Sequence, residues 1–275
     1  MKKKPVWQVL VDRGYFPDRK TAESWILAGS VICNNTRIDK PGTPIPEDAD
    51  LRVKGAGARY VGRGGEKLAS ALVAFGLDVH GTVALDAGAS TGGFTDCLVQ
   101  HGARLVYAVD VGYGQLAGRL RSDPRVIVLE RTNIADESLS RLSPQPTLGT
   151  LDLSYLSLQD AFPLYARVLA AESAVLALVK PLFEVDDSSL RRSGQDPPDS
   201  AVADALRRSV AAAEGAGFGV RGVCASGIRG SGGTREFFLY GVRDAAERSC
   251  AMPEGPTIET QIQAAIRASH ETCHG

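Results

Sequence analysis

Val83-Ala84-Leu85-Asp86-Ala87-Gly88-Ala89-Ser90-Thr91-Gly92-Gly93-Phe94 is the stretch on which the fold of this chain turns. An apolar run that reaches an acidic residue, passes a glycine-rich turn and enters a helical segment is the strand, turn and helix start in which α/β folds cradle nucleotide-type ligands. Outward from it, apolar runs recur at Leu105–Asp110, Val126–Leu129, Thr150–Leu153, Ala174–Val179, Gly219–Ala225 and Glu236–Tyr240, giving seven candidate strands. Helix-length intervals between them require crossovers, so the pattern predicts an α/β fold with a mostly parallel sheet covered on both faces. The short Gly227–Thr234 turn makes the last strand antiparallel, and a helix through Lys67, Leu68, Ala71, Leu72 and Phe75 precedes the sheet.

The glycine turn also narrows the ligand. A dinucleotide fingerprint places a second glycine two positions after the first, where the backbone approaches a pyrophosphate; here that position is Ser90. No Gly-Lys-Ser/Thr follows, which excludes a Walker phosphate loop and with it kinase and ATPase readings. The turn suits an uncharged or zwitterionic nucleoside. Asp110 ends the next strand at the distance where an acidic side chain accepts from adenosyl ribose hydroxyls, and Asn133 offers an amide to an adenine edge. Asp86, Gly88, Ser90, Thr91, Gly92, Gly93, Phe94, Asp110, Asn133 and Asp152 are therefore the expected contacts of an S-adenosyl-L-methionine cofactor.

The chain has 275 residues, 44% of them hydrophobic, enough for one medium domain and a smaller one. Its net charge of −1 hides an asymmetry, because residues 1–62 hold 11 Lys+Arg against 7 Asp+Glu. In that basic front, two short helical patterns around Val6/Val9/Leu10 and Ala22/Trp25/Ile26 precede short strands at Val31–Cys33, Thr36–Ile38 and Leu51–Val53. Gly55-Ala56-Gly57-Ala58 reads as a linker, which predicts domains at 1–58 and 59–245, with a tail at 246–275 that carries a short helix near Thr257–Ala268. Five cysteines without a Cys-x-x-Cys pair argue against a disulfide framework or a zinc cluster and for a reducing cytoplasm. The group His270-Glu-Thr-Cys273-His274 reads as a disordered polar end rather than a metal site, and no metal is expected. No apolar run reaches the length of a membrane span, so no membrane partner is expected either.

Chemistry concentrates at four positions. Asp152-Leu153-Ser154-Tyr155 closes the fourth strand, Lys180-Pro181 closes the fifth, Glu236 opens the last, and Lys67 lies on the helix before the sheet. At these residues the chain resembles the FtsJ-like ribose 2′-O-methyltransferases, whose Lys-Asp-Lys-Glu tetrad maps onto Lys67, Asp152, Lys180 and Glu236. The resemblance is carried by Arg63-Gly64-Gly65-Glu66-Lys67-Leu68, the glycine turn, Asp152-Leu153-Ser154-Tyr155, Lys180-Pro181-Leu182-Phe183-Glu184 and Glu236-Phe237. With a front module similar to an S4 RNA-binding domain, the chain is closer still to the TlyA family, often labelled hemolysin A. That resemblance implies a seven-stranded Rossmann-like methyltransferase acting on a cytidine 2′-hydroxyl of ribosomal RNA, free or in a ribosomal subunit.

A ribose hydroxyl is a poor nucleophile, so its proton must leave as the bond to the methyl carbon forms. Lys180 is either the base or, if charged, the group that orients the hydroxyl and stabilises negative oxygen; Asp152 holds the lysine, and Lys67 and Glu236 complete the positioning network. Arg13, Arg19, Lys20, Arg37, Lys54, Arg59 and Arg63 are the candidates for RNA phosphate contacts. Two other classes compete: a noncatalytic RNA- or ribosome-binding assembly factor that retains the fold, and a membrane-active hemolysin, which the missing membrane-active segment disfavours.

Overall fold

The computed structural model describes residues 3–53, 59–185, 188–230, 232–244 and 256–271. The proposed linker at 55–58 lies outside them, as do Lys54, Cys273 and His274. The chain forms two compact units, residues 1–59 and 60–275.

In the first unit, β1 (Lys3–Pro5), α1 (Val6–Asp12), α2 (Arg19–Leu27), β2 (Val31–Cys33), β3 (Thr36–Ile38), β4 (Pro44–Pro46) and β5 (Leu51–Val53) follow in order. Asp18 starts α2 by accepting the Thr21 amide at 2.8 Å, the side-chain cap that a helix N-terminus needs for its orphan donors. Asn34 and Asn35 adopt φ of 47° and 63°, a pair of left-handed residues that closes the β2–β3 hairpin with the twist such hairpins require. Strand β2 pairs with β3 and β5, while β1 pairs with β4. The sequence does not reveal that ribbon, because Pro5, Pro44 and Pro46 argue against strands; as a two-stranded edge pair it tolerates the missing donors. Val6, Leu10, Ala22, Ile26 and Val31 are buried at its core, with Trp7 and Trp25 packed against them as apolar residues.

The second unit contains α3 (Arg63–Phe75), β6 (Val83–Ala87), α4 (Gly93–Gln100), β7 (Leu105–Asp110), α5 (Gly118–Arg121), β8 (Val126–Glu130), β9 (Leu148–Leu151), α6 (Leu158–Val168), β10 (Ser173–Val179), α7 (Pro181–Glu184), α8 (Ser188–Ser193), α9 (Asp199–Gly215), β11 (Gly219–Ala225), β12 (Phe237–Arg243) and α10 (Ile258–His270). All seven strands join one sheet in the order β11-β12-β10-β9-β6-β7-β8. Pairing is parallel throughout except at β12, which runs antiparallel to both β10 and β11, as the sequence predicts. Side chains alternate between two cores as strand geometry demands. Val83, Leu85, Ala87, Val175, Ala177 and Val179 enter one, and Ala84, Val106, Ala108, Leu176 and Leu178 the other.

Two boundaries that differ from the sequence reading bear on the site. Strand β9 ends at Leu151 and β12 begins at Phe237, so Asp152 and Glu236 stand just off the strands. The C-terminal helix is also more than a tail. Ile262, Ala265 and Ile266 are buried in the sheet's core, and Gln261 Oε1 accepts the Val223 amide at 3.1 Å on edge strand β11. His270 therefore belongs to a packed helix and not to a disordered end; an apolar stripe of modest length is legible as a helix but does not announce where it docks.

Candidate active site

The order of β6 and β9 places a topological switch point between them, and there the glycine turn opens a crevice lined by Gly64, Gly88, Ala89, Ser90, Thr91, Gly93, Phe94 and Asp152. Gly88 holds φ +85°, and a Cβ there would collide with the Asp152 carbonyl. A Cβ on Gly93 would lie 2.9 Å from the Gly65 amide nitrogen, so α3 and α4 approach through bare backbone. Asp110 braces the rim of the turn, its two carboxylate oxygens accepting the Ser90 and Gly112 amides, each at 2.7 Å. Asn133 is exposed and uses its side-chain oxygen on the Ala135 amide at 2.9 Å. Ser90 and Thr91 are exposed at the mouth, whereas Phe94 is buried and stacks on Phe238 at 5.9 Å between ring centroids.

Asp86 does not line the crevice. It is fully buried beneath the turn, where its oxygens accept the Thr95 hydroxyl at 2.6 Å and the Thr150 hydroxyl at 3.0 Å. The sequence places it at a strand end, but alternation turns it into the core with Ala84. Burial pushes its carboxyl up to about 6 against the opposing hydroxyl bonds. Because this exceeds the unfolded value of 3.8, the folded state binds the proton more tightly, and Asp86 costs stability progressively as pH rises from 3.8 to about 6 and fully above that. The expected cost is on the order of 3 kcal/mol, at about 1.4 kcal/mol for each tenfold change in proton affinity. Urea unfolding should show Asp86→Asn gaining stability over wild type between pH 4 and pH 7; a difference constant across that range contradicts the assignment.

Two ion pairs stand at the carboxyl edge of the sheet. Lys180 Nζ lies 2.6 Å from Asp152 Oδ1, and Lys67 Nζ lies 2.5 Å from Glu236 Oε2. Val179 is in register with Phe237, so Lys180 and Glu236 follow and precede facing residues of antiparallel strands. Asp152 accompanies β9 into the crevice and anchors its amide on the Ala87 carbonyl at 3.0 Å, just before Gly88. Lys67 lies one turn along α3 from crevice residue Gly64. Side-chain exposures of 13% for Lys180 and 7% for Glu236 make these something other than solvated surface pairs, which would be worth at most about 1 kcal/mol. Lys180 also donates to Ser154 Oγ at 2.8 Å and faces the Leu153 carbonyl at 3.3 Å, three acceptors for the three N–H bonds of an ammonium.

Several residues at the site carry no separate signal in the sequence. Tyr155 and Phe183 are 48% and 45% exposed, large apolar surface beside Asp152 and Lys180. Lys180 lies 5.8 Å from the Phe183 ring centroid, and Tyr155 neighbours Asp110 and the Ile134 amide. Glu184, whose carboxyl burial pushes upward, accepts the Leu158 amide at 3.1 Å and ties α7 to the start of α6. Among the RNA candidates, Arg13 donates to the Ala49 carbonyl at 2.8 Å and to that of Glu47, so it secures its own unit. Arg19 pairs with Glu23 at 2.7 Å and lies over Trp7. Lys20, Arg37 and Arg59 are exposed, and Arg63, in the second unit, donates to the Arg229 carbonyl at 2.6 Å. Among the described residues no group of three or more His, Cys, Asp or Glu is placed to hold a metal.

Residues 60–243 match the FtsJ-like methyltransferase family. The 16S/23S rRNA (cytidine-2′-O)-methyltransferase TlyA of Mycobacterium tuberculosis is 40% identical over 266 residues, which cover 90% of this chain and 96% of that protein. The chain belongs to the TlyA family of FtsJ-like methyltransferases. Hemolysin A of Brachyspira hyodysenteriae is 34% identical over 82% of this chain and 95% of its own. A solved structure titled as a hemolysin, from Streptococcus thermophilus, superposes with a TM-score of 0.70 at 35% identity, covering 99% of this chain and 97% of that one. A TlyA-family enzyme draws its methyl group from S-adenosylmethionine, and the crevice fits that molecule: glycine backbone in its lining would allow close approach, and the Asp152 carboxylate in the same lining would suit a cationic donor. Bound there, it supplies an electrophilic methyl on a sulfonium. Among the described residues no helix is long and apolar enough to cross a membrane, despite the hemolysin label of some relatives.

Proposed function

We propose that this protein methylates a ribose 2′-hydroxyl of ribosomal RNA, at cytidine, in the cytoplasm. One observation carries the reading: Asp152 belongs to the cofactor crevice and to the Lys180 ion pair at once, so a hydroxyl held by Lys180 is presented to the methyl group. The incoming hydroxyl replaces Ser154 Oγ or the Leu153 carbonyl around Lys180 Nζ. Its oxygen forms the bond to the methyl carbon as the carbon–sulfur bond breaks, and the proton it sheds passes to the Lys180–Asp152 pair. Lys180 stabilises the developing negative oxygen, while Lys67 and Glu236 hold the ribose side of the crevice. Alignment supplies most of the rate effect, since well-oriented reactants are worth roughly 7–11 kcal/mol.

Tyr155 and Phe183 offer faces to a nucleoside taken out of its stack, at about 1–3 kcal/mol per stacked base. The first unit, with its helix pair, small sheet and exposed Lys20 and Arg37, serves as an S4-like RNA-binding module. Incubation with labelled S-adenosylmethionine and either total rRNA or intact ribosomal subunits tests the whole reading. Label should appear as nucleotides resistant to alkaline hydrolysis at a cytidine. Cofactor binding without transfer to either substrate overturns the enzyme reading in favour of an assembly factor, and label on a base overturns the ribose assignment.

A further inference from the structure

Arg235, immediately before Glu236, is charged and almost wholly buried, its side chain 3% exposed. Burying a guanidinium costs several kcal/mol unless its donors are met. Here Nε donates to Asp196 at 2.7 Å, Nη1 to Asp199 at 2.6 Å and Nη2 to the Pro197 carbonyl at 2.5 Å. His270 Nε2 of α10 stands 3.3 Å from Nη1. The second oxygen of Asp196 accepts the backbone amide of Arg235 itself at 2.9 Å. One carboxylate thus grips the main chain and the side chain of the residue that leads into Glu236. On the other side the Glu236 carbonyl accepts the Ser226 amide at 2.8 Å, and the turn is tight enough that a Cβ on Gly230 would lie 2.6 Å from Glu236 Oε1.

The same network reaches the partner of Glu236. Asp196 also meets Arg229 at 3.4 Å, Arg229 donates to the Gly233 carbonyl at 3.0 Å and the Ser269 carbonyl at 3.2 Å, and its own carbonyl takes the Arg63 guanidinium. Arg63 begins α3, the helix that carries Lys67. None of Arg235, Asp196, Asp199 and His270 lines the crevice. Arg235 is the buried member, with Asp196 and Asp199 31% and 56% exposed; a buried charge is weak evidence for stability, which leaves the geometry it fixes as the role to test.

We infer that Arg235 is a positioning residue, which with Asp196, Asp199 and the C-terminal helix α10 holds Glu236 at the ammonium of Lys67. This rests on the proposed role of the tetrad. It extends the catalytic apparatus past residue 243, where the family match ends, to the helix at 258–270.

Steady-state turnover, the KM for rRNA and cofactor affinity by calorimetry are to be measured on the full chain for Arg235→Met, Arg235→Lys, Glu236→Gln and the double variant Arg235→Met/Glu236→Gln. Glu236→Gln lowers kcat about 100-fold, and Arg235→Met about 30-fold with KM and cofactor affinity within about threefold. Arg235→Lys recovers part of that loss, and the double variant is no slower than Glu236→Gln alone, because both changes remove one function. Losses that multiply in the double variant, or a folded Arg235→Met with wild-type kcat, overturn the inference while the tetrad stands. Wild-type kcat in Glu236→Gln overturns the tetrad reading itself. Should Arg235→Met fail to fold, Asp196→Asn, which weakens both grips and keeps the Asp199 pair, gives the same two readings against Glu236→Gln.

Discussion

Lys180→Met lowers single-turnover methyl transfer by about a thousandfold or more while cofactor affinity stays within about threefold. Methionine keeps most of the volume and removes the charge. The Lys180 ammonium meets Asp152, Ser154 and Leu153, so its loss takes away the group that would hold the ribose hydroxyl and strands the Asp152 carboxylate at the crevice wall. The glycine turn, where we propose the cofactor binds, is untouched, so binding is expected to survive. Lys180→Arg does not restore the rate, since a planar guanidinium cannot put a point charge where Nζ sits. Transfer of labelled methyl at saturating cofactor, paired with calorimetry, separates the two effects. A Lys180→Met enzyme working faster than about one-tenth of wild type removes Lys180 from the reaction.

Gly88→Ala abolishes cofactor binding and transfer together, with affinity falling by about 100-fold or more and stability by about 2–4 kcal/mol. Two separate costs act there. The residue sits at φ +85°, and its new Cβ would meet the Asp152 carbonyl, backbone that cannot swing aside. Relief moves either the turn or Asp152, and Asp152 carries Lys180 with it. Gly81 supplies the control, because it holds φ +72° with nothing within 4 Å of a Cβ. Gly81→Ala shows the backbone cost alone, about 1 kcal/mol, with unchanged cofactor affinity. Equal effects at the two glycines, by denaturant unfolding and calorimetry, refute the close-approach argument.

Both predictions concern residues that a reader of the sequence singles out, and the reason is physical. Strand-ending residues beside a glycine turn are exposed to ligand by the geometry of any parallel sheet, so Asp152, Lys180 and the turn are legible from apolar runs and glycines alone. Boundaries are less so: Leu153 is apolar and buried yet lies beyond β9, whose paired register with β10 and β6 ends at Leu151. Asp86 illustrates a second limit. A carboxylate at a strand end looks like a ligand contact until alternation and the Thr95 and Thr150 hydroxyls show it facing the core. Arg13, prominent in a basic front module, spends its guanidinium on carbonyls 34 and 36 residues away.

Periodicity and spacing along the chain were sufficient for the seven strands, the crossovers and the antiparallel end, because each depends on local hydrophobic pattern and on neighbours in sequence, whereas the tetrad came from the resemblance to the FtsJ-like family. Pairing Lys67 with Glu236 across 169 positions, burying Arg235 among Asp196, Asp199 and His270, and docking α10 on the sheet's edge required the folded molecule. Those contacts join side chains whose charges are individually ordinary, and only the fold, which buries Lys67, Glu236 and Arg235, gives these charges their partners and their places.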